Sequence, residues 1–173
     1  MNLRYAIPLS VVLSWGCSPE VKGKTVPDWR QVPVSLELRL AEGAPGPDLV
    51  PWAVYGRAKT VYLHPRAEFS NRDIARVEAV VTRIRTGLVL QVWPTRAGAA
   101  RLKETTGRHI GDSLAVLIDS VVVSVPIIQQ AIGANPKLPF ALGVPLGAKE
   151  AQQLAAAVAK TWPPAQRRAS RRQ

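Results

Sequence analysis

The sequence predicts an α+β fold, in which two main helices pack on one face of an antiparallel sheet. Three observations predict this class. Short β-rich runs recur along the chain, and turn residues separate several of them into pairs. Two longer segments instead have apolar residues at helical spacing. The chain has 173 residues, of which 47% are hydrophobic, so it can bury the core of one domain and still carry tails.

Hydrophobic period and turn signals predict seven strands. They cover Val34–Leu40, Thr60–Leu63, Ala79–Ile84, Leu88–Trp93, Leu114–Ile118, Val121–Val125 and Phe140–Leu142. Between the first two, residues 43–59 contain six prolines and glycines and predict a long loop. Ser70 and Asp73 are spaced as a capping box, which predicts a short helical turn. Asp119-Ser120 has the length of a hairpin loop, in which the aspartate side chain would cap its own backbone.

Two helices complete the predicted domain. Thr95 is a suitable N-cap for a helix that runs to about Thr106, where Gly107 stops it. The second helix, Ala148–Trp162, has the clearest amphipathic pattern of the chain. These elements place the domain at residues 34–162.

The beginning of the chain has the features of an exported lipoprotein. Residues 1–16 contain Arg4 and then a short apolar stretch, which is typical of a signal peptide. Cys17, the only cysteine, directly follows Gly16 and resembles the lipobox cysteine that bacterial lipoproteins lipidate on the thiol. The alternative is an ordinary first strand or helix with a buried free cysteine. Residues 17–33 contain three prolines and predict a flexible tether.

The net charge of +11 is unevenly spread, because four arginines lie in the last seven residues, while the body from Cys17 to Gln166 has a net charge of about +6. Residues 163–173 form a basic tail, which we expect to be disordered and which contains Arg167, Arg168, Arg171 and Arg172. Such a tail is a candidate for binding an anionic surface, and the alternative is a solvated charged end. Nucleic acid is not an expected partner, because export would separate the protein from it and no nucleic-acid-binding motif occurs.

The chain also resembles a known family. The residues that carry the resemblance are Leu36–Arg39, Thr60–Leu63, Ser70–Ile74, Thr95–Ala99, Leu102, Thr105-Thr106, Ile110–Asp119, Val123–Ile127, Ile132-Gly133, Leu142-Gly143, Lys149–Ala151 and Leu154-Ala155. On these residues, Val34 to Val158 resembles the periplasmic head domain of the protein-translocase subunit SecD. The resemblance implies a domain outside the membrane that contacts exported polypeptides or translocase subunits. It does not imply the ion-driven motor, because SecD couples ions through transmembrane helices and no stretch of ~20 apolar residues follows residue 20 here.

No catalytic, metal or cofactor site is predicted. His109 and Asp112 are three residues apart, a spacing that suits one helix face but more simply caps the helix end. His64 has no second ligand close in sequence. The chain lacks a nucleophile elbow, a phosphate-binding loop and a zinc-protease motif. A hydrolase stays open only as a class that a single sequence does not exclude.

The candidate binding residues are aromatic. Trp52, Tyr55 and Phe69 lie in or beside predicted loops and suit apolar contacts with a polypeptide that adds to the sheet. The alternative is that they pack over the domain's own core. Two functions therefore remain: a lipid-anchored accessory protein-binding domain linked to export, or an envelope lipoprotein with a structural or anionic-surface-binding role.

Overall fold

The α+β class is confirmed. The computed structural model describes residues 28–82, 87–133, 135 and 137–162. Its strands are β1 (Leu36–Glu42), β2 (Val50–Ala53), β3 (Thr60–Leu63), β4 (Ile74–Thr82), β5 (Gly87–Pro94), β6 (Ser113–Ile118), β7 (Val121–Ser124) and β8 (Phe140–Val144). Its α-helices are α1 (Arg96–Arg108) and α2 (Ala148–Thr161), and a 3₁₀ turn covers Asn71–Asp73.

The strands form two antiparallel sheets. The larger has the order β2-β3-β1-β6-β7, and the smaller has the order β4-β5-β8. Helix α2 packs on β4 and β5, while α1 contacts β5 and the 3₁₀ turn. Sequence pattern predicted one sheet, because period and turn signals identify strands but not which of them share hydrogen bonds.

One strand lies where the sequence predicts only loop. The prediction of a long loop at residues 43–59 is wrong for β2, which pairs with β3 in the register Pro51 to Tyr62. Proline lacks the N–H that a central strand needs, but β2 is the outermost strand of its sheet and pairs fully with one neighbour only. An edge position therefore explains how this proline-containing segment is a strand.

The main core lies between the two sheets and α2. Side chains on one face of β1 alternate into it, and they meet residues of β5 and α2. Its fully buried members include Leu36, Leu38, Leu90, Leu154 and Val116. Because a fully buried leucine contributes about 1.5–3 kcal/mol relative to an exposed one, this layer is a main source of the domain's stability.

A second, smaller core lies on the opposite face of the larger sheet. Leu117 and Val122 are buried there with Val61 and Leu63. Val54, just after β2, forms a parallel bridge to Val122 of β7. The two outer strands of the sheet therefore approach each other, and the sheet curls around this second core.

The folded domain begins before the predicted boundary. Residues 17–27 of the predicted tether lie outside the described part, but the end of that tether is packed. Trp29 is only 3% exposed and belongs to the main core. Its ring meets the Tyr55 ring edge-on, with 5.5 Å between centroids. The prediction of a flexible tether is therefore wrong for residues 28–33, because an apolar ring within them finds a place in the core.

The β6–β7 turn is tied to the start of β1. Asp119 and Ser120 have φ angles of 46° and 61°, and two positive values are what a two-residue type I′ hairpin requires. The Asp119 carboxylate accepts a hydrogen bond from the Ser35 amide at 2.7 Å, and its own amide donates to the Ser35 carbonyl at 2.9 Å. The side chain therefore caps the neighbouring strand and not its own backbone. Burial raises the pKa of this carboxyl, and the Ser35 hydrogen bond partly offsets that effect.

Helix α1 is held by two close backbone contacts. Thr95 caps it as expected, accepting from the Gly98 amide at 3.0 Å. A Cβ atom on Gly98 would lie 2.5 Å from the Asp73 carbonyl oxygen. Gly133 has a φ of +87°, and a Cβ atom there would lie 2.8 Å from the carbonyl oxygen of Ala99, the next residue of the helix. Only glycine allows the helix to approach both segments this closely.

Buried polar groups also fix the position of α1. Thr106 is fully buried, and its hydroxyl donates to the Leu102 carbonyl at 2.6 Å and accepts from the Ile132 amide at 2.8 Å. Asp73 is 1% exposed and pairs with Arg101 of the helix. Each of these groups would be costly if left without a partner, so they specify where the helix lies.

We expect Gly98→Ala to lower the free energy of unfolding by about 1–3 kcal/mol, the usual cost of overpacking. The physical reason is the clash of the new Cβ with the Asp73 backbone. The measurement is urea denaturation followed by circular dichroism.

Gly107→Ala in the same helix is the matched control. The nearest atom to its new Cβ would be the Ala131 Cβ at 3.7 Å, an ordinary contact. Alanine has the higher helix propensity, so this variant should be neutral or up to about 1 kcal/mol more stable. Equal losses in both variants would contradict the close-packing argument.

Candidate functional site

The three aromatic candidates lie in three different environments. Phe69 is 0% exposed, and its ring packs edge-on against Phe140 with 5.6 Å between centroids. Its backbone bridges to Leu38 of β1. A ring in the core has no surface to offer a partner, so Phe69 is removed from the candidate binding residues, in agreement with the core-packing alternative.

Tyr55 joins three separate segments. Its hydroxyl donates a hydrogen bond to Glu150 Oε1 at 2.6 Å, and its ring packs on Trp29. The other oxygen of Glu150 accepts from the Gly147 amide at 3.0 Å, so this carboxylate also satisfies the N-cap amide at the start of α2. The hydrogen bond to Glu150 raises the pKa of Tyr55, and burial and the carboxylate charge raise it further. The Tyr55 side chain is therefore held in place by the domain itself.

Trp52 lies on β2 and is partly buried. It packs against the second core, whereas Tyr55 packs against the main core. The structure therefore does not bring the aromatic candidates together into one surface. Of the three, Trp52 and Tyr55 keep part of their surface exposed.

The remaining predicted site residues are the candidate lipidation site and the basic tail. Cys17 and the four arginines Arg167, Arg168, Arg171 and Arg172 lie outside the described residues. Their roles in lipidation and in binding an anionic surface stay predictions from sequence.

Both histidines of the chain line one cleft of about 310 Å³. His109 caps the end of α1 and its Nδ1 lies 2.8 Å from Asp112 Oδ2. His64 follows β3 and its Nε2 lies 3.5 Å from Glu42 Oε1. In the sequence, His64 has no partner nearby, because only the antiparallel pairing of β1 with β3 brings it beside Glu42.

Ser113 also lines this cleft. In the described structure, no hydrogen bond joins its hydroxyl to an imidazole, whereas His109 is paired with Asp112. Across residues 28–82, 87–133, 135 and 137–162, no group of three or more His, Cys, Asp or Glu side chains is placed to hold a metal ion.

The two outer strands of the smaller sheet differ in how they are protected. On β4 a register shift interrupts the pairing between Ile74 and Arg76. Arg76 also pairs with Glu78 at 2.8 Å and lies 3.8 Å from the centre of the Trp93 ring. Bulges and charged side chains are the features by which natural sheets prevent further strands from pairing. Strand β4 is therefore a poor place for strand addition.

Strand β8 has none of these protections. Its sequence, Phe140–Val144, contains no charged residue and no proline, and its pairing with β5 has no irregularity. Ala141 and Gly143 are exposed, and Leu138 just before the strand is 62% exposed. In the described part of the chain, β8 pairs with β5 on one side and with no strand on the other. An edge of this kind can accept an extended polypeptide through main-chain hydrogen bonds.

The family described as SecDF, P1 head subdomain matches residues 50–160, which run from the start of β2 almost to the end of α2. The chain belongs to this family. The resemblance to the SecD head that the sequence motifs indicate is thereby confirmed.

Two solved structures share the P1 head fold. They are described as a crystal structure of SecDF in super-membrane-facing form, and as the structure of a membrane component SecDF that enhances protein export. Each is 23% identical over 76% of this chain, with a TM-score of 0.53. The chain spans 19% of the first and 64% of the second. No curated protein matches it. Among the described residues, no helix is long and apolar enough to cross a membrane.

The structure explains why several of the motifs that resemble the P1 head occur together. Three of these motifs contain residues that position helix α1, namely Gly98, Thr106 and Gly133. A fourth motif supplies Asn71, whose side-chain amide donates to the Val34 carbonyl at 2.7 Å and accepts from the Leu36 amide at 2.8 Å. These shared residues therefore specify the P1 head fold and do not by themselves form a binding site.

We expect Glu150→Gln to lower the pKa of Tyr55. The neutral phenol is the hydrogen-bond donor, so the fold favours it. A neutral amide in place of the carboxylate removes the negative charge and weakens this hydrogen bond, which is the largest cause of the raised pKa. This contribution to stability is present below the unfolded pKa and is lost as the pH rises through the folded pKa. The measurement is the difference in phenolate absorbance between each protein and its Tyr55→Phe derivative.

Glu104→Gln is the control for this titration. It removes an exposed carboxylate that pairs with Arg108 at 2.5 Å on α1. Titration of Tyr55 should be the same in this variant as in the wild type. An unchanged pKa in Glu150→Gln would mean that the charge of Glu150 does not contribute to the raised value.

Proposed function

We propose that this P1 head domain is an exported, non-catalytic accessory protein that binds extended polypeptides outside the membrane during protein export. The observation that carries the proposal is the family match over residues 50–160 together with the unprotected edge of β8. A solved relative with the same fold is described as enhancing protein export.

The chemistry of the edge suits such a role. Exported polypeptides differ in side chains but share the same backbone, and strand addition takes its affinity from backbone hydrogen bonds. Small side chains at Ala141 and Gly143 leave room on the sheet face for the side chains of a guest strand. The exposed Leu138 offers an apolar contact at one end. Trp52 is a second proposed contact, on the other sheet.

We also propose that Cys17 carries the lipid that anchors the protein. The support is in the sequence: residues 1–16 have the composition of a signal peptide, and the sole cysteine follows them directly. A second function, an envelope lipoprotein with a structural role, would share this anchor but would have no use for the edge of β8.

We expect Gly143→Lys to weaken the binding of an unfolded exported polypeptide by at least about fivefold. A lysine on the edge must be desolvated when a strand docks beside it, and each main-chain hydrogen bond lost costs about 0.5–1.5 kcal/mol. The measurement is fluorescence anisotropy of a labelled, permanently unfolded envelope protein. The fold should survive, because no atom lies within 4 Å of a Cβ placed on Gly143.

Gly43→Lys is the matched control, since this glycine is also exposed with open space around it, but lies after β1 and away from the β8 edge. It should bind as the wild type does.

A guest peptide with N-methylated amides tests strand addition from the side of the ligand, because it keeps its side chains and loses its main-chain hydrogen-bond donors. Full binding of that peptide, or equal losses in both lysine variants, would refute strand addition at β8.

The role in export needs a separate measurement in cells. A photo-crosslinking amino acid at Ala141 should capture exported chains or translocase subunits, and the same probe at Gly43 should not. If folded, anchored protein captures only lipid or wall polymer, the chain would share the P1 head fold but would not act in export.

We expect Cys17→Ser to abolish incorporation of a labelled fatty acid and to release the protein from the membrane fraction. The thiol is the atom that the lipid would modify, and serine keeps the size of the side chain without it. Ser18→Ala is the control and should be labelled normally. Labelling that persists in Cys17→Ser would exclude this anchor.

A further inference from the structure

A basic groove lies between the N-terminal segment and the solvent-facing side of α2. Its volume is about 470 Å³. The residues that line it are Arg30, Lys149, Gln152, Gln153, Ala156, Ala157 and Lys160. The groove therefore has three cationic side chains, two amide side chains and no acidic one among its lining residues.

The positive charge of this groove is poorly compensated. Among the described residues, Asp28 pairs with Arg30, with 3.5 Å from its Oδ1 to Arg30 Nε, and both side chains are at least 70% exposed. Glu150 is on the same helix, but its two oxygens accept from Tyr55 and Gly147. Lys149 and Lys160 form no ion pair with any part of the chain that the structure describes.

Other cations of the domain differ in this respect. Arg39 pairs with Glu37 at 2.7 Å, Arg76 pairs with Glu78, and Arg101 pairs with the buried Asp73. The difference follows from the sequence, because residues 120–173 contain seven basic residues and a single acidic one, Glu150. Apart from Arg30, the residues that line the groove thus come from a part of the chain that has little acidic charge.

We propose that this groove and the exposed side of α2 dock on the headgroups of an anionic phospholipid surface. Lysine and arginine near such a surface each strengthen binding about fivefold, and glutamine amides can donate to phosphate oxygens. The exposed side of the helix carries small residues, Ala156 and Ala159, in place of large apolar ones. The contact is therefore with headgroups and not by insertion among acyl chains.

A membrane is favoured over a soluble polyanion by the place of the groove in the chain. Arg30 follows Cys17 by thirteen residues, and a fully extended chain of that length spans at most about 45 Å. The proposed lipid on Cys17 would hold the groove within that distance of the bilayer. The arginine tail follows α2 directly in sequence and has the same sign of charge. Docking would orient the domain with α2 toward the membrane.

The test compares vesicles of phosphatidylcholine with vesicles of equal parts phosphatidylcholine and phosphatidylglycerol, using the full chain. The quantity measured is the ratio of the two partition coefficients, because any contribution of a lipid anchor or leader to binding is common to both vesicles and cancels. Lys149→Gln with Lys160→Gln should lower this ratio about fivefold for each lysine removed. The preference should also weaken as salt is raised.

Lys59→Gln with Lys103→Gln is the matched control, since both lysines are exposed, lie elsewhere on the domain and give the same change in net charge. It should change the ratio less than twofold. In a chain that ends before residue 163, the groove variants should still lower the ratio. Three outcomes would each overturn the proposal. The two lysine pairs could have equal effects, removal of the tail by itself could abolish the preference for anionic vesicles, or the protein could bind only a soluble polyanion such as polyphosphate.

Discussion

Strand β6 is buried on both of its faces, and both cores of the domain are built on it. Leu114, Val116 and Ile118 lie in the main core, while Ala115 and Leu117 lie in the second core. A strand of this kind must be apolar at every position, which is why its sequence reads as a continuous hydrophobic run and not as an alternation. Its pairing with β1 on one side and β7 on the other then positions the larger sheet between the two cores.

Buried polar groups position the elements that the apolar cores alone would leave undetermined. Hydrophobic contact is not directional, so it can hold a helix against a sheet without selecting one position. Asp73, Thr106 and Asp119 each make hydrogen bonds or ion pairs that one arrangement satisfies. Gly98 within α1 and Gly133 beside it have no side chains that would prevent this arrangement. The cost of an unsatisfied buried group is what makes the arrangement specific.

The surfaces available for binding are separate and chemically different. The edge of β8 is uncharged and offers backbone groups. The groove beside α2 is basic and offers long cationic side chains. One surface suits an extended polypeptide, and the other suits an anionic layer. An accessory domain that works next to a membrane could use both at once, because they belong to different elements.

The sequence by itself determined the α+β class, both helices and most strands, since local period and caps depend on neighbouring residues only. It also located the family, through motifs such as Ile110–Asp119 and Ile132-Gly133 that proved to be parts of the fold. It indicated the candidate anchor at Cys17, on which the tertiary structure has no bearing.

Only the tertiary structure decided how the strands divide into two sheets, and therefore which edge is open. Strand order depends on pairings between segments that are distant in sequence. The spacing of hydrophobic residues within one segment does not predict which other segment it pairs with. The same reason explains why Phe69 belongs to the core, why Trp29 in a proline-rich segment is buried, and why His64 and His109 share a cleft. Each of these facts is a contact between residues far apart in the chain, and such contacts exist only once the chain has folded.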